Sequence, residues 1–248
     1  MRLALRFAAP QPPVPHGFPL YLTMQHSDSI KIIAHVRTDF PDKFGVPRQS
    51  GLVPLRGRVV FLPPYDTPDA FRGLEGYSHI WVLWRFDGFD ADAFSPTVRP
   101  PRLGGNRRMG VFATRSPHRP NPIGLSVLRL VDVLRTDHGV ELLVEGVDMV
   151  DGTAVYDVKP YLPQVDRVED AAGGFSADCL ADPLSVRFAD GLAVPPDLAA
   201  ALVPLLAADP RPHYHEDGRV YGMRYASYEI KFTVADHLAT VLSVEPAE

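Results

Sequence analysis

Hydrophobic positions along the chain come in short runs separated by turn residues, and the runs have the character of strands rather than helices. Residues 30–37 (IKIIAHVR) are apolar and β-branched and predict a first strand. A loop follows, TDFPDKFGVPRQSG, punctuated by prolines and glycines. Residues 58–62 (RVVFL) predict a second strand, and a short helical turn is expected from Thr67 to Leu74, with Thr67 as cap and Pro68 at its first position. Residues 78–86 (SHIWVLWRF) predict a third strand whose lack of alternation implies burial on both faces. Residues 124–134 and 139–147 alternate and are joined by Thr136-Asp137-His138-Gly139, a hairpin signal, and residues 153–158 (TAVYDV) add another strand. Strand after strand with few long helices predicts a mainly β fold, and a closed or nearly closed antiparallel barrel is the natural way to bury it.

The pattern changes at both ends of this region. Residues 1–28 are expected to be a disordered Pro-rich extension: Arg2 and Arg6 interrupt the apolar stretch Leu3–Ala9, which argues against a signal peptide, and five prolines follow by position 19. Residues 29–165 are the expected barrel domain and 166–182, with Asp, Glu, Ala and Gly-Gly, a linker. Residues 183–248 are expected to be a small α+β domain. It would hold a strand at 184–188 (LSVRF), a helix from Pro195-Pro196-Asp197 to about Ala208, and strands near 219–225 and 228–234.

Composition narrows the function classes. The formal net charge is −5, so general adhesion to nucleic acid is not expected and any RNA contact must rest on local positive charge. The single cysteine, Cys179, excludes an intramolecular disulfide and points to a reducing compartment, the cytoplasm. No run reaches the roughly 18 apolar residues of a membrane span. The histidines show no ligand spacing, His213 and His215 reading as surface residues, so no metal is expected.

Local positive charge does exist. Between Ala93 and Val131 there is no Asp or Glu, while Arg99, Arg102, Arg107, Arg108, Arg115, Arg119 and Arg129 all fall there, with His118. Guanidinium groups pair with phosphates and stack on bases, so this Pro/Gly-rich segment is a candidate anionic or nucleic-acid surface; a solubilising surface is the alternative. Inside it, Thr114-Arg115-Ser116-Pro117-His118-Arg119-Pro120-Asn121-Pro122-Ile123-Gly124 carries three prolines that stiffen the backbone and preset the polar side chains. Ser116 and His118 sit two residues apart without a glycine elbow, which argues against hydrolase chemistry. The string Asp148-Met149-Val150-Asp151-Gly152-Thr153 reads as a turn, or as carboxylates able to bind ribose hydroxyls or an amino group.

Together, Phe44-Gly45-Val46-Pro47-Arg48-Gln49, Gly73-Leu74-Glu75-Gly76-Tyr77-Ser78-His79-Ile80-Trp81, the segment Thr97–Asn106, the Thr114–Gly124 loop and Val150-Asp151-Gly152-Thr153 resemble the TsaA-like (TrmO-like) family. Asp209-Pro210-Arg211-Pro212-His213-Tyr214 and Val220-Tyr221-Gly222 resemble its longer, two-domain members. The resemblance implies a single-sheet barrel, a homodimer, and S-adenosylmethionine-dependent N6-methylation of threonylcarbamoyladenosine at position 37 in the tRNA anticodon loop. By motif, Pro47, Arg48, Gln49, Arg115, Leu125, Asp151, Gly152, Thr153 and Ala154 would contact the cofactor. So would Asp87-Gly88, which stands where many relatives have a His and a polar residue; Ala154 stands where a Pro is frequent. Arg102, Arg107, Arg108, Arg119 and Asn121 are the candidate substrate contacts, and Asp151, His118 and Asp87 are unranked candidates for the proton acceptor. Two other readings stay open: a methyltransferase of this fold acting on another RNA or a small molecule, and a non-catalytic cofactor- or RNA-binding module.

Overall fold

The computed structural model describes residues 29–89, 94–100, 107–179, 182–211 and 217–247. The expected N-terminal extension, Arg102, and the His213–His215 stretch lie outside the described residues.

Six strands close a barrel: β1 (Ala34–Arg37), β2 (Arg56–Phe61), β3 (His79–Arg85), β6 (Ile123–Thr136), β7 (Gly139–Glu145) and β8 (Ala154–Pro160). Their order is β1-β2-β7-β6-β3-β8, and every pairing is antiparallel. Closure explains the alternation along the chain. Val36, Val59, Ile80, Val82, Leu128, Leu142, Val144 and Val155 point inward and are fully buried, each worth roughly 1.5–3 kcal/mol of transfer free energy. Outward positions carry cross-strand ion pairs such as Arg58–Glu141 and Arg129–Glu145.

The third strand corrects the expectation of burial on both faces. Ile80, Val82 and Trp84 are buried while Trp81 and Leu83 are only half-buried. A barrel has one interior, so the outer face of β3 is covered by what lies outside: Trp81 packs near Tyr161 and donates its indole N–H to Asp166 at 2.9 Å. Asp166 also accepts the amide of Leu162, and these two donors, the amide foremost, hold its carboxyl below the ordinary range. The helical turn expected at Thr67 is a 3-10 turn, Pro68–Phe71, and Thr67 makes no side-chain cap bond. The segment between β3 and β6 holds a two-residue ribbon, β4 (Thr97–Val98) against β5 (Met109–Gly110), and a 3-10 turn at Val111–Ala113.

A short helix α1 (Pro163–Asp166) and a 3-10 segment (Gly174–Cys179) lead to a four-stranded sheet of order β10-β11-β12-β9. Its strands are β9 (Ser185–Phe188), β10 (Val220–Tyr225), β11 (Tyr228–Ala235) and β12 (Leu238–Pro246). Helix α2 (Pro196–Ala207) buries Leu198, Leu202, Leu205 and Leu206, the spacing of one helical face. Sequence reasoning did not find β12. Its turn from β11 is Asp236-His237, both at positive φ (49° and 62°), and lacks the glycine that usually marks such a hairpin.

From Lys31 onward the chain is one compact unit. The joint is the loop after β1: Phe40 meets Tyr225 edge-on, Phe44 stacks on Tyr221 and Phe232, and Asp42 pairs with Arg224 at 3.0 Å. Tyr225 donates to Asp39, and burial, followed by that carboxylate, pushes the phenol above its ordinary pKa.

Candidate functional site

One end of the barrel is where β1, β3 and β7 finish and β6 and β8 begin, as their antiparallel pairing requires. The connections there enclose a cavity of about 800 Å³. Five chain segments line it: the loop after β1, the end of β3 through Phe89, the Pro-stiffened Thr114–Arg119 loop, the start of β6, and the turn between β7 and β8. Its apolar wall includes Trp84, Phe86, Phe89 and Met149, and Trp84 and Phe86 lie 4.2 Å apart between ring centroids.

Nine of the residues singled out in the sequence line this cavity: Pro47, Arg48, Gln49, Asp87, Arg115, Arg119, Leu125, Asp151 and Thr153. Arg115 and Gln49, distant in the chain, are joined directly, the guanidinium donating to the Gln49 amide oxygen at 2.5 Å. Arg48 donates to the backbone carbonyl of Arg211, which ties the cavity loop to the C-terminal region. Arg211 is in turn paired with Asp209 and Asp217, and Asp209 foremost holds its pKa up.

Other predicted residues stand outside the lining. Gly88 follows Asp87 at the cavity edge, beside the Lys43 ammonium, and Ala154 is buried at the start of β8. Gly152, at φ +80°, makes the turn possible and offers its carbonyl to His35 at 2.9 Å. Asn121 is exposed and its carbonyl accepts the Ile123 amide. His118 is exposed, its ring edge-on to Phe89 at 5.0 Å.

The carboxylates in the lining differ in their partners. Asp151 accepts from Arg37 at 3.2 Å and from the Thr38 amide at 3.0 Å. Asp87 pairs with Arg85 at 2.6 Å, and that bond, the largest influence, raises the Arg85 pKa. Asp148 accepts a 2.7 Å hydrogen bond from Ser126, whose hydroxyl accepts from the Trp84 indole at 2.9 Å. Burial is the main influence on Asp148 and lifts its pKa to about 6, against the hydrogen bonds and the charge of Arg115, which pull it down. Sequence reasoning read Asp148 as a turn residue or, with Asp151, as a carboxylate able to bind ribose hydroxyls or an amino group, and not as a candidate proton acceptor; Trp84 and Ser126 read only as strand residues.

The arginine-rich segment is narrower as a free cationic surface than its composition implies. Arg129 is paired with Glu145 on the barrel wall, and Arg119 donates Nη1 to the carbonyls of Thr114 and Ser116, both at 3.1 Å. Arg107 and Arg108 are exposed and do not line the cavity; Arg108 donates to the Thr97 hydroxyl at 3.3 Å.

Comparison with known proteins bears on both parts of the chain. The family described as tRNA-methyltransferase O N-terminal domain matches residues 35–167, and the TrmO C-terminal domain matches residues 184–247. The chain is 40% identical over 226 residues to the tRNA (adenine(37)-N6)-methyltransferase of Escherichia coli K12, covering 86% of this chain and 96% of that one. It is 43% identical over 211 residues to RcsF of Pseudomonas aeruginosa, provisionally named as an S-adenosylmethionine-dependent methyltransferase, covering 79% and 88%. A crystal structure of TrmO from P. aeruginosa superposes with a TM-score of 0.72 at 34% identity, covering 92% of this chain and all of that one.

Proposed function

The chain belongs to the tRNA-methyltransferase O family, and from that premise we propose that it transfers a methyl group from S-adenosylmethionine to N6 of adenosine 37 in tRNA. The observation that carries this reading is the cavity, whose chemistry suits that donor. About 800 Å³ is the size of a small-molecule pocket. Aromatic walls at Trp84, Phe86 and Phe89 suit an adenine ring, Arg115 suits the methionine carboxylate, and Asp87 and Asp151 suit amino and ribose hydroxyl groups. The turn residue Gly152 and Ala154, the first residue of β8, serve by shaping the backbone that presents Asp151 and Thr153.

When bound, the donor supplies an electrophilic methyl on sulfonium. The protein's part is placement: the five lining segments would hold the donor, leaving the amine to arrive in line. The Pro-stiffened loop presents Arg115 and Arg119 without further ordering cost. Incubation with tRNA and methyl-labelled donor tests the reading, and label in the tRNA is the expected result.

Arg115→Ala is expected to weaken donor binding by roughly 1–3 kcal/mol, as removal of a charge-assisted hydrogen bond does. Titration calorimetry on the folded variant measures this, and unchanged affinity removes Arg115 from the donor site.

Arg107 and Arg108, exposed beside the ribbon β4–β5, serve phosphate contacts in this reading, as does Arg102. Replacing the three by Ala should weaken tRNA binding and lower its salt slope by roughly 0.7–0.9 for each phosphate no longer paired. Donor affinity should hold. A fall in activity at constant salt slope assigns the patch to folding or assembly instead.

The finer substrate in this reading is threonylcarbamoyladenosine in the anticodon loop, whose carboxylate calls for a cation; the cavity offers Arg119 close to Arg115. The working form is a cytoplasmic homodimer. Among the described residues no helix is long and apolar enough to cross a membrane.

A further inference from the structure

The cavity holds a carboxyl group that the family motif does not explain. Asp87 and Asp151 are each neutralised by a guanidinium, Arg85 and Arg37 respectively. No ion pair to Asp148 occurs among the described residues, although its carboxyl faces the same space. It is held instead by neutral donors. Ser126, only 1% exposed, donates to Oδ1, and Trp84 fixes Ser126 by donating to its oxygen. Both supports come from neighbouring barrel strands, β3 and β6, so the carboxyl has one orientation relative to the cavity wall.

Resting on the methyl-transfer reading of this cavity, we propose that Asp148 takes the proton released from N6 of the target adenine as that nitrogen is methylated. The N6 lone pair forms the new bond to the methyl carbon. The electron pair of the breaking S–CH3 bond stays on sulfur, which loses its positive charge. The N6–H electron pair returns to nitrogen as the proton passes to the Asp148 carboxylate, and the protonated carboxyl then releases it to solvent. A base serves best when it titrates near the working pH, and burial among Trp84, Ser126 and Met149 places Asp148 there, at about 6.

The charged groups facing the cavity come from each surrounding element. The loop after β1 brings Lys43 and Arg48, the end of β3 brings Arg85 and Asp87, and the loop before β6 brings Arg115 and Arg119. Asp151 shares Asp148's own turn. Of these, Arg115 is the one whose charge reaches Asp148, and it favours the ionised form without cancelling the effect of burial.

The test is Asp148→Asn, which keeps the shape and an acceptor for Ser126. Expected are donor affinity within about twofold of the parent by calorimetry, KM for tRNA nearly unchanged, and kcat lower by about 100-fold or more. The parent kcat should fall below a pH near 6, and that acid limb should vanish in the variant. A readout independent of turnover accompanies these. The folded parent binds the Asp148 proton more tightly than the unfolded chain, so its stability should drop relative to D148N as pH rises from the ordinary carboxylate range through about 6. The variant's melting temperature should therefore rise relative to the parent's between about pH 4 and pH 7. An unchanged kcat with the acid limb intact overturns the proposal. So does weakened donor affinity with normal kcat at saturation, which makes Asp148 a donor anchor. If the parent itself moves no methyl to tRNA, the functional reading has failed and this proposal falls with it.

Discussion

Gly124→Ala is expected to lower the unfolding free energy by about 3 kcal/mol, a severe overpacking. Donor affinity should fall at least tenfold, about 1.4 kcal/mol. A Cβ at Gly124 would lie 2.2 Å from Trp84 Cε2 and 2.5 Å from two more atoms of the same indole. Trp84 is 7% exposed, packs against Phe86 and lines the cavity, so admitting the methyl group requires the ring to yield, shifting within the cavity wall. Yielding breaks its bond to Ser126 and removes the support of Asp148. Urea denaturation and calorimetry read the two effects. Parental stability together with parental affinity would show that the indole is not a fixed wall.

The second large effect concerns substrate choice. tRNA carrying threonylcarbamoyladenosine should be methylated at least tenfold faster than the same transcript without it, about 1.4 kcal/mol of discrimination. A site built around a polar group discriminates strongly against substrates lacking it. Arg119, oriented by two carbonyls of its own loop, is the cation assigned to the threonyl carboxylate. Arg119→Ala should reduce the preference more than it reduces donor binding. Equal rates on both RNAs would overturn the choice of modified adenosine and leave methyl transfer standing.

Much of the fold was legible in the chain because a closed barrel has one interior and so imposes a period of two. The β6–β7 hairpin was readable from Thr136 to Gly139, and α2 from its prolines and leucine spacing. The outer face of β3 was not, since Trp81 and Leu83 look as apolar as core residues and only the barrel's closure separates them from Ile80 and Val82. Strand β12 was missed because Asp236 and His237 take positive φ without a glycine to announce it.

The site was legible in its loops and hidden in its strands. Arg115, Gln49 and Asp151 stood out as polar groups in conspicuous Pro- or Gly-containing strings, and the fold brings them to one cavity. Asp148, Ser126 and Trp84 are joined only by the register of β3 against β6 and the turn after β7, a relation between distant positions that no local pattern records. Arg129 misled in the opposite way: it counted toward the cationic segment, but its partner Glu145 lies across the barrel wall.

The central claim is that this cavity methylates N6 of adenosine 37. Its most direct measurement is mass spectrometry of nucleosides from threonylcarbamoyl-modified tRNA incubated with the purified protein and S-adenosylmethionine. The expected result is that threonylcarbamoyladenosine gains the mass of one methyl group at N6, with the parent nucleoside depleted in step. Unaltered nucleosides, with the donor shown by calorimetry to be bound, would contradict it.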